Sequence, residues 1–178
     1  MFIRGSNPHL PILKTVTIYT DGAAKGNPGP GGFGTLLILN GKTCELSGGF
    51  SRTTNNRMEL LAAITGLEAL PAPCKVSLTS DSRYLVDAMT KGWLRGWKSR
   101  NWSRPNNQYL KNTDLWKRLD LAAQAHDISW LWVKGHAGHP ENERCDTLAD
   151  SAARSSNLPP DDGFLAEEAH LNSQGELL

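Results

Sequence analysis

The chain's 178 residues predict one α/β domain built on a mixed β-sheet with helices on its faces. Three observations carry this expectation. Three strand-length runs come first and are joined by turns too short for anything but antiparallel pairing. Two later apolar runs arrive only after helix-length segments, as parallel crossovers require. Between them lie segments whose apolar residues recur at helical spacing. With 39% hydrophobic and 21% charged residues, the length suits a single substantial core.

The elements follow in order. Residues 1–13 carry Gly5, Asn7, Pro8 and Pro11 without a period and are expected to form an arm. Val16-Thr17-Ile18-Tyr19-Thr20-Asp21-Gly22 is rich in β-branched and aromatic residues and reads as a strand ending in an acid. The glycines and prolines of residues 26–32 break it and turn the chain. Phe33 to Leu39 is the next strand, Asn40-Gly41 is a two-residue hairpin signal, and Lys42 to Phe50 returns. Thr54 can cap a helix from about Asn55 to Leu70, with Leu60, Leu61, Ile64 and Leu67 on its buried face, until Pro71 and Pro73 end it. Cys74 to Thr79 is a short apolar strand, after which Ser80 or Asp81 can cap a second helix through Tyr84, Leu85 and Met89. Asn112 or Thr113 caps a further amphipathic helix to about Ala125. Ile128 to Val133 is the last strand, and Glu141 to about Arg154 the last helix of the expected domain, residues 14–156. Residues 157–178, with two prolines and five acids, are expected to form an acidic, weakly structured tail.

Composition narrows the function classes. No apolar run approaches the ~18 residues of a membrane helix, and no signal-peptide pattern opens the chain. Cys44, Cys74 and Cys145 are scattered and form no Cys-x-x-Cys pair, which argues against a disulfide framework or zinc finger and points to a reducing cytoplasm. The net charge of +1 averages two opposed segments. Lys91, Arg95, Lys98, Arg100, Arg104 and Lys111 occur without an acid between Ala88 and Thr113, so this stretch can attract a polyanion.

Four acids stand out: Asp21 and Asp81 follow apolar strands, and Glu59 and Asp146 lie on helices. Each has a plain structural alternative as a helix cap, a solvated residue or an ion-pair partner. Together they point to a ligand site, because ligands in such sheets gather beyond strand ends. Two carboxylates ~4 Å apart repel by about 4 kcal/mol at an effective dielectric near 20, which divalent cations relieve. All-oxygen donors suit Mg²⁺ or Mn²⁺, and a pair of such ions supports hydrolysis of a phosphodiester. The glycine-rich turn is neither a P-loop nor a dinucleotide fingerprint, for it joins two strands and lacks Gly-Lys-Ser/Thr.

Five separated motifs now bear on a family. They are Tyr-Thr-Asp-Gly at 19–22, Gly-Asn-Pro-Gly-Pro-Gly-Gly at 26–32, Thr-Thr-Asn-Asn-Arg-Met-Glu-Leu at 53–60, Ser-Asp-Ser at 80–82, and the run from Trp132 to Asp146. In this order they closely resemble bacterial ribonuclease HI, over roughly Lys14 to Arg154. The resemblance implies an RNase H-like fold with a five-stranded mixed sheet. It implies an endonuclease that cuts the RNA strand of an RNA/DNA hybrid and leaves 5′-phosphate and 3′-hydroxyl ends. It implies Asp21, Glu59, Asp81 and Asp146 as catalytic ligands of two Mg²⁺ ions with substrate, Mn²⁺ being a possible substitute. His136 matches a mobile-loop histidine that assists proton transfer or product release, and Glu143 matches an acid close to the metals.

By the same resemblance, Asn27, Asn55 and Asn56 contact the hybrid and Thr54 belongs to a pocket for a DNA-strand phosphate; helix capping is the competing role for Thr54 and Asn55. Residues 91–111 resemble the basic protrusion of the bacterial members. There Lys91, Arg95, Lys98 and Arg100 are expected to meet phosphates, while Trp93 and Trp97, four apart, are expected to pack beneath the cations. Arg83 stands where the bacterial proteins often have a glutamine that contacts RNA. A monomer is expected, with no membrane partner. Two other readings are a binding module of the same fold without catalysis and a strand-transfer or DNA-cleaving nuclease. Retention of all four acids and His136 disfavours the first; the match through residues 53–60 and 132–146 disfavours the second.

Overall fold

The computed structural model describes residues 12–175. Five strands, β1 (Lys14–Ala24), β2 (Gly29–Leu39), β3 (Lys42–Thr53), β4 (Cys74–Ser80) and β5 (Asp127–Trp132), form one sheet in the order β3-β2-β1-β4-β5. The first three pair antiparallel and the last two join in parallel, as the turn and crossover lengths predict. The β2–β3 turn is Asn40-Gly41 with φ of 51° and 73°, the left-handed pair that a two-residue hairpin requires. Residues 1–11 of the expected arm lie outside the described residues.

Helices α1 (Asn55–Glu68) and α5 (Pro140–Ala153) pack against the centre of the sheet. Consecutive residues of β2 show that they cover opposite faces. The Thr35 hydroxyl donates to the Ala62 carbonyl of α1 at 2.7 Å, whereas a Cβ on Gly34 would strike the Cys145 carbonyl of α5 at 2.2 Å. The α1 side holds the main core, with Val16, Ile18, Leu60, Ile64, Val76, Leu78 and Leu85 buried. Beyond β4 come α2 (Arg83–Thr90), α3 (Trp93–Ser99), a 3₁₀ turn at Pro105–Asn107, and α4 (Thr113–Ala123). Trp116 of α4 is fully buried and ties this region together. Its ring lies 5.1 Å from Tyr84 and 5.0 Å from Trp97, and its Nε1 donates to the Tyr84 hydroxyl.

As far as residue 175 the structure corrects the reading of residues 157–178 as a weakly structured tail; residues 176–178 lie outside the described residues. Asp162–Gln174 is a helix, α6, with Phe164 and Leu171 buried beneath it. Asp161 caps it by accepting from the Phe164 amide at 3.1 Å, and Gly175 closes it in the left-handed conformation. Two of its acids are engaged: Glu167 accepts from the Asn112 amide and Glu168 binds Arg52. Asp161 itself is buried against the equally buried Arg57 of α1, 2.7 Å from Nε and 2.9 Å from Nη2. No partner for these acids was legible in the tail, because every one of them lies 55 or more residues away in sequence.

Candidate active site

Four segments bring the expected acids to one end of the sheet. Asp21 comes from β1, Asp81 from the residue after β4, Glu59 from the second turn of α1 and Asp146 from α5. The parallel pairing sets Thr20 opposite Ser80, so Asp21 and Asp81 leave adjacent strands at the same level. Gly22 lets α1 approach, since a Cβ there would lie 2.4 Å from the Glu59 amide nitrogen. The β4–α2 junction differs from expectation: Ser82, not Ser80 or Asp81, caps α2. Ser80 Oγ accepts instead from the Ser82 amide at 3.0 Å, which leaves the Asp81 carboxylate without capping duty.

The acids line a cavity of about 440 Å³ together with Gly22, Asn55, Asn56, Ser82, Arg83, Tyr84 and His136. One oxygen from each of Asp21, Glu59 and Asp81 can be chosen so that all three lie within 4.8 Å of one another. Asp146 joins the cavity wall without belonging to this tight trio. Asp21 and Glu59 are buried, and Glu59 Oε2 has no hydrogen-bond partner. Burial and the neighbouring Asp81 and Asp146 charges push the Asp21 carboxyl up to about 7. Burial, then the Asp21 and Asp81 charges, raises Glu59 as well. An orphaned buried carboxylate oxygen within an all-oxygen, mutually repelling set fits a hard divalent cation.

These shifts have a signed consequence. Because Asp21 is raised from its ordinary 3.8, the folded state retains a proton that the unfolded chain has lost, and stability falls as pH climbs between those two values. Metal-free protein is therefore expected to melt at a lower temperature at about pH 8 than at about pH 5, and Mg²⁺ to raise the melting temperature more at the higher pH. Thermal melts across this range check it; a metal response independent of pH would contradict it.

The remaining expected residues divide into groups. His136, in a turn at φ 52°, reaches the cavity from the loop after β5. Beside it, a Cβ on Gly135 would fall 2.4 Å from Asp81 Oδ2, so a side chain there would push the Asp81 carboxylate aside. Glu143 is exposed in the first turn of α5 and does not line the cavity. Asn55 and Asn56 do line it. Asn27 accepts from the Asn55 amide at 3.1 Å, and Thr54 caps α1, accepting from the Arg57 amide at 3.4 Å.

A second groove, of about 940 Å³, runs beside the acids between α3, the following loop and α6. Asn56 and Tyr84 line both hollows, and Trp93, Trp97 and Arg100 line the groove alone. The expectation of packed tryptophans holds for Trp97, which lies on Trp116. Trp93, 42% exposed, instead opens onto the groove. Lys91 and Lys98 form ion pairs with Asp87 and Asp120, acids that lie outside the basic stretch in sequence. Among the described residues Arg95 and Arg100 have no carboxylate partner. Sequence reasoning missed Arg57, which holds α1 in place, and Trp132, whose Nε1 donates to the Asp81 carbonyl at 2.9 Å. Trp132 was within a quoted motif, but only the fold puts its ring against the acid-bearing turn.

The family model described as RNase H matches residues 13–154. The chain belongs to the RNase H family. Curated relatives agree over most of its length. A protein named Ribonuclease H from Shewanella sp. (strain ANA-3) is 58% identical over 155 residues, covering 87% of this chain and 98% of that protein. Ribonuclease HI of Shewanella oneidensis is 57% identical with the same coverage. Among solved structures, LC9-RNase H1, described as a type 1 RNase H with the type 2 active-site motif, is 31% identical. It superposes with a TM-score of 0.72 over 95% of this chain and 87% of that one. RNase H1 from Halobacterium salinarum NRC-1 is 28% identical, with a TM-score of 0.56 over 78% and 96%. The RNase H family match accounts for the mixed sheet and the acidic cluster; it ends before α6.

Proposed function

We propose that this chain is an endonuclease that hydrolyses the RNA strand of RNA/DNA hybrids and leaves 5′-phosphate and 3′-hydroxyl ends. The observation that carries the reading is the convergence of Asp21, Glu59 and Asp81 within 4.8 Å, with Asp146 on the same wall and Glu59 Oε2 unpartnered. These four would hold two Mg²⁺ ions with substrate, Mn²⁺ being able to substitute. When bound, such ions supply an activated water and neutralise charge on the leaving oxygen.

The chain's own residues do the rest. Asp21 anchors the site to the middle strand of the sheet, β1, with Asp81 following the neighbouring strand. His136 is exposed at the cavity rim, where an imidazole can carry a proton to or from the reacting strand. Asn55 and Asn56, held at the α1 N-terminus, offer amide donors and acceptors suited to the 2′-hydroxyls that distinguish RNA from DNA. Trp93 and Arg100 line the neighbouring groove, which lies where a second strand can run, and Asn56, two residues after Thr54, stands at its α1 side. No helix among the described residues is long and apolar enough to cross a membrane. The free cysteines suit the cytoplasm, and we take the chain to act as a monomer.

The test uses three duplexes or strands of one sequence, end-labelled. With Mg²⁺ the protein is expected to cut the RNA of the hybrid internally while sparing the same RNA alone and the DNA duplex. Equal cutting of all three, or none of the hybrid, would overturn the proposal.

A further inference from the structure

Among the described residues Arg83 is the only lysine or arginine that lines the acidic cavity, yet it does not pair with the acids there. Its guanidinium carbon lies 3.6 Å from the centroid of the Trp132 ring, the closest cation–ring approach among the described residues. Its one carboxylate within reach is Asp87, at 4.0 Å and already bound by Lys91 at 2.9 Å. Asp81, two residues earlier in the chain, makes no ion pair with it. The same Trp132 fixes the Asp81 turn by donating from Nε1 to the Asp81 carbonyl at 2.9 Å. One indole thus holds an acid-bearing turn through its edge and a cation on its face.

A guanidinium stacked in this way keeps its planar fork of N–H donors free while losing little entropy on binding. Beyond the long 4.0 Å approach of Asp87, no carboxylate among the described residues is hydrogen-bonded to this fork, and such a fork at the rim of a phosphodiester-binding cavity matches a backbone phosphate. We infer that Arg83, held on Trp132, clamps a backbone phosphate of the strand that crosses the acids, and that Trp132 is a positioning residue that keeps this cation from collapsing onto them. Without the indole, Arg83 can swing to Asp81 or Asp146 and compete with the divalent ion. The inference deepens the hybrid-nuclease reading and rests on it.

The test compares wild type with Arg83→Gln, Arg83→Lys, Trp132→Phe, Trp132→Ala and Arg83→Gln/Trp132→Ala. Three quantities are read: hybrid affinity by fluorescence anisotropy as a function of salt, Mg²⁺ binding by calorimetry on protein alone, and kcat with KM. Arg83→Gln is expected to weaken hybrid binding about tenfold and to lower the log–log salt slope by roughly one, with KM rising and kcat changing little. Arg83→Lys falls between, since it keeps charge but loses the fork. Trp132→Phe retains a face and most of the affinity. Trp132→Ala matches Arg83→Gln in hybrid affinity and also weakens Mg²⁺ binding, and the double variant restores Mg²⁺ binding while losing no further hybrid affinity. An unchanged salt slope in Arg83→Gln, or additive losses in the double variant, would overturn the clamp. Should Trp132→Ala melt early, the two Arg83 variants still decide the point. Failure of the wild type to bind the hybrid would instead refute the underlying reading.

Discussion

Asp21→Asn is expected to lose at least about a thousandfold in kcat on an RNA/DNA hybrid while making the metal-free protein more stable at about pH 8. The two effects have one cause. Asp21 is buried at the end of the central strand, within 4.8 Å of ligand atoms from Glu59 and Asp81, and its ionised form is opposed first by burial and then by its neighbours' charges. Asparagine has nearly the same shape without that charge, so the folded state no longer carries the repulsion. For the same reason the Mg²⁺-induced rise in melting temperature should shrink. Activity assays and melts on the same preparation separate this from unfolding: lost activity with a lower melting temperature would mean that Asp21 is structural, and retained activity would remove it from the chemistry.

Asp161→Ala is expected to destabilise the protein by about 3–5 kcal/mol, lowering the melting temperature by roughly 10 °C. Arg57 is 1% exposed and bridges Asp161 on one side and Asp114 on the other, the latter through hydrogen bonds of 2.9 and 2.8 Å. Burial works against its charge, but the hydrogen bonds it donates to Asp114 and Asp161 outweigh it and hold its pKa above the ordinary arginine value. Removing Asp161 leaves a buried guanidinium half-compensated, strips α6 of its cap and frees the Thr53 hydroxyl, which donates to the same carboxylate at 2.7 Å. Asp161→Asn keeps the cap and should cost less. Truncation after Ser156 should destabilise to a similar degree as Asp161→Ala, whereas an unchanged melting temperature would return residues 157–178 to the status of an unattached tail. Denaturant unfolding of the three variants measures the order directly.

Arg57 also joins stability to the site. It stands two residues before Glu59 on the first turns of α1, next to Asn55 and Asn56. Anchoring at Asp114 and Asp161 therefore fixes the helix end that presents three cavity residues, so loosening α6 should be felt first as imprecision there.

What the sequence determined by itself was the alternation of elements and the chemistry. Turns of two to four residues force antiparallel neighbours and helix-length spacers force parallel ones, so β1 to β5 follow from local rules, though β2 begins four residues before the expected Phe33 and β3 ends three after the expected Phe50. The identity of the four acids was also legible, because each stands at a strand end or within a short motif whose pattern survives in linear order. What only the tertiary structure decided depends on partners distant in the chain. That Lys91 and Lys98 pair with Asp87 and Asp120 could not be read from the acid-free stretch around them. Whether residues 157–175 fold was settled by Arg57, a cation about a hundred residues earlier whose burial makes an acid cap stabilising. That Trp132 touches the acid-bearing turn was decided by parallel pairing of β4 with β5, which sets it opposite Ser80 and beside Asp81. Periodicity and turn chemistry act over a few residues; charge compensation and ring stacking act through space, and a single chain does not write those distances down.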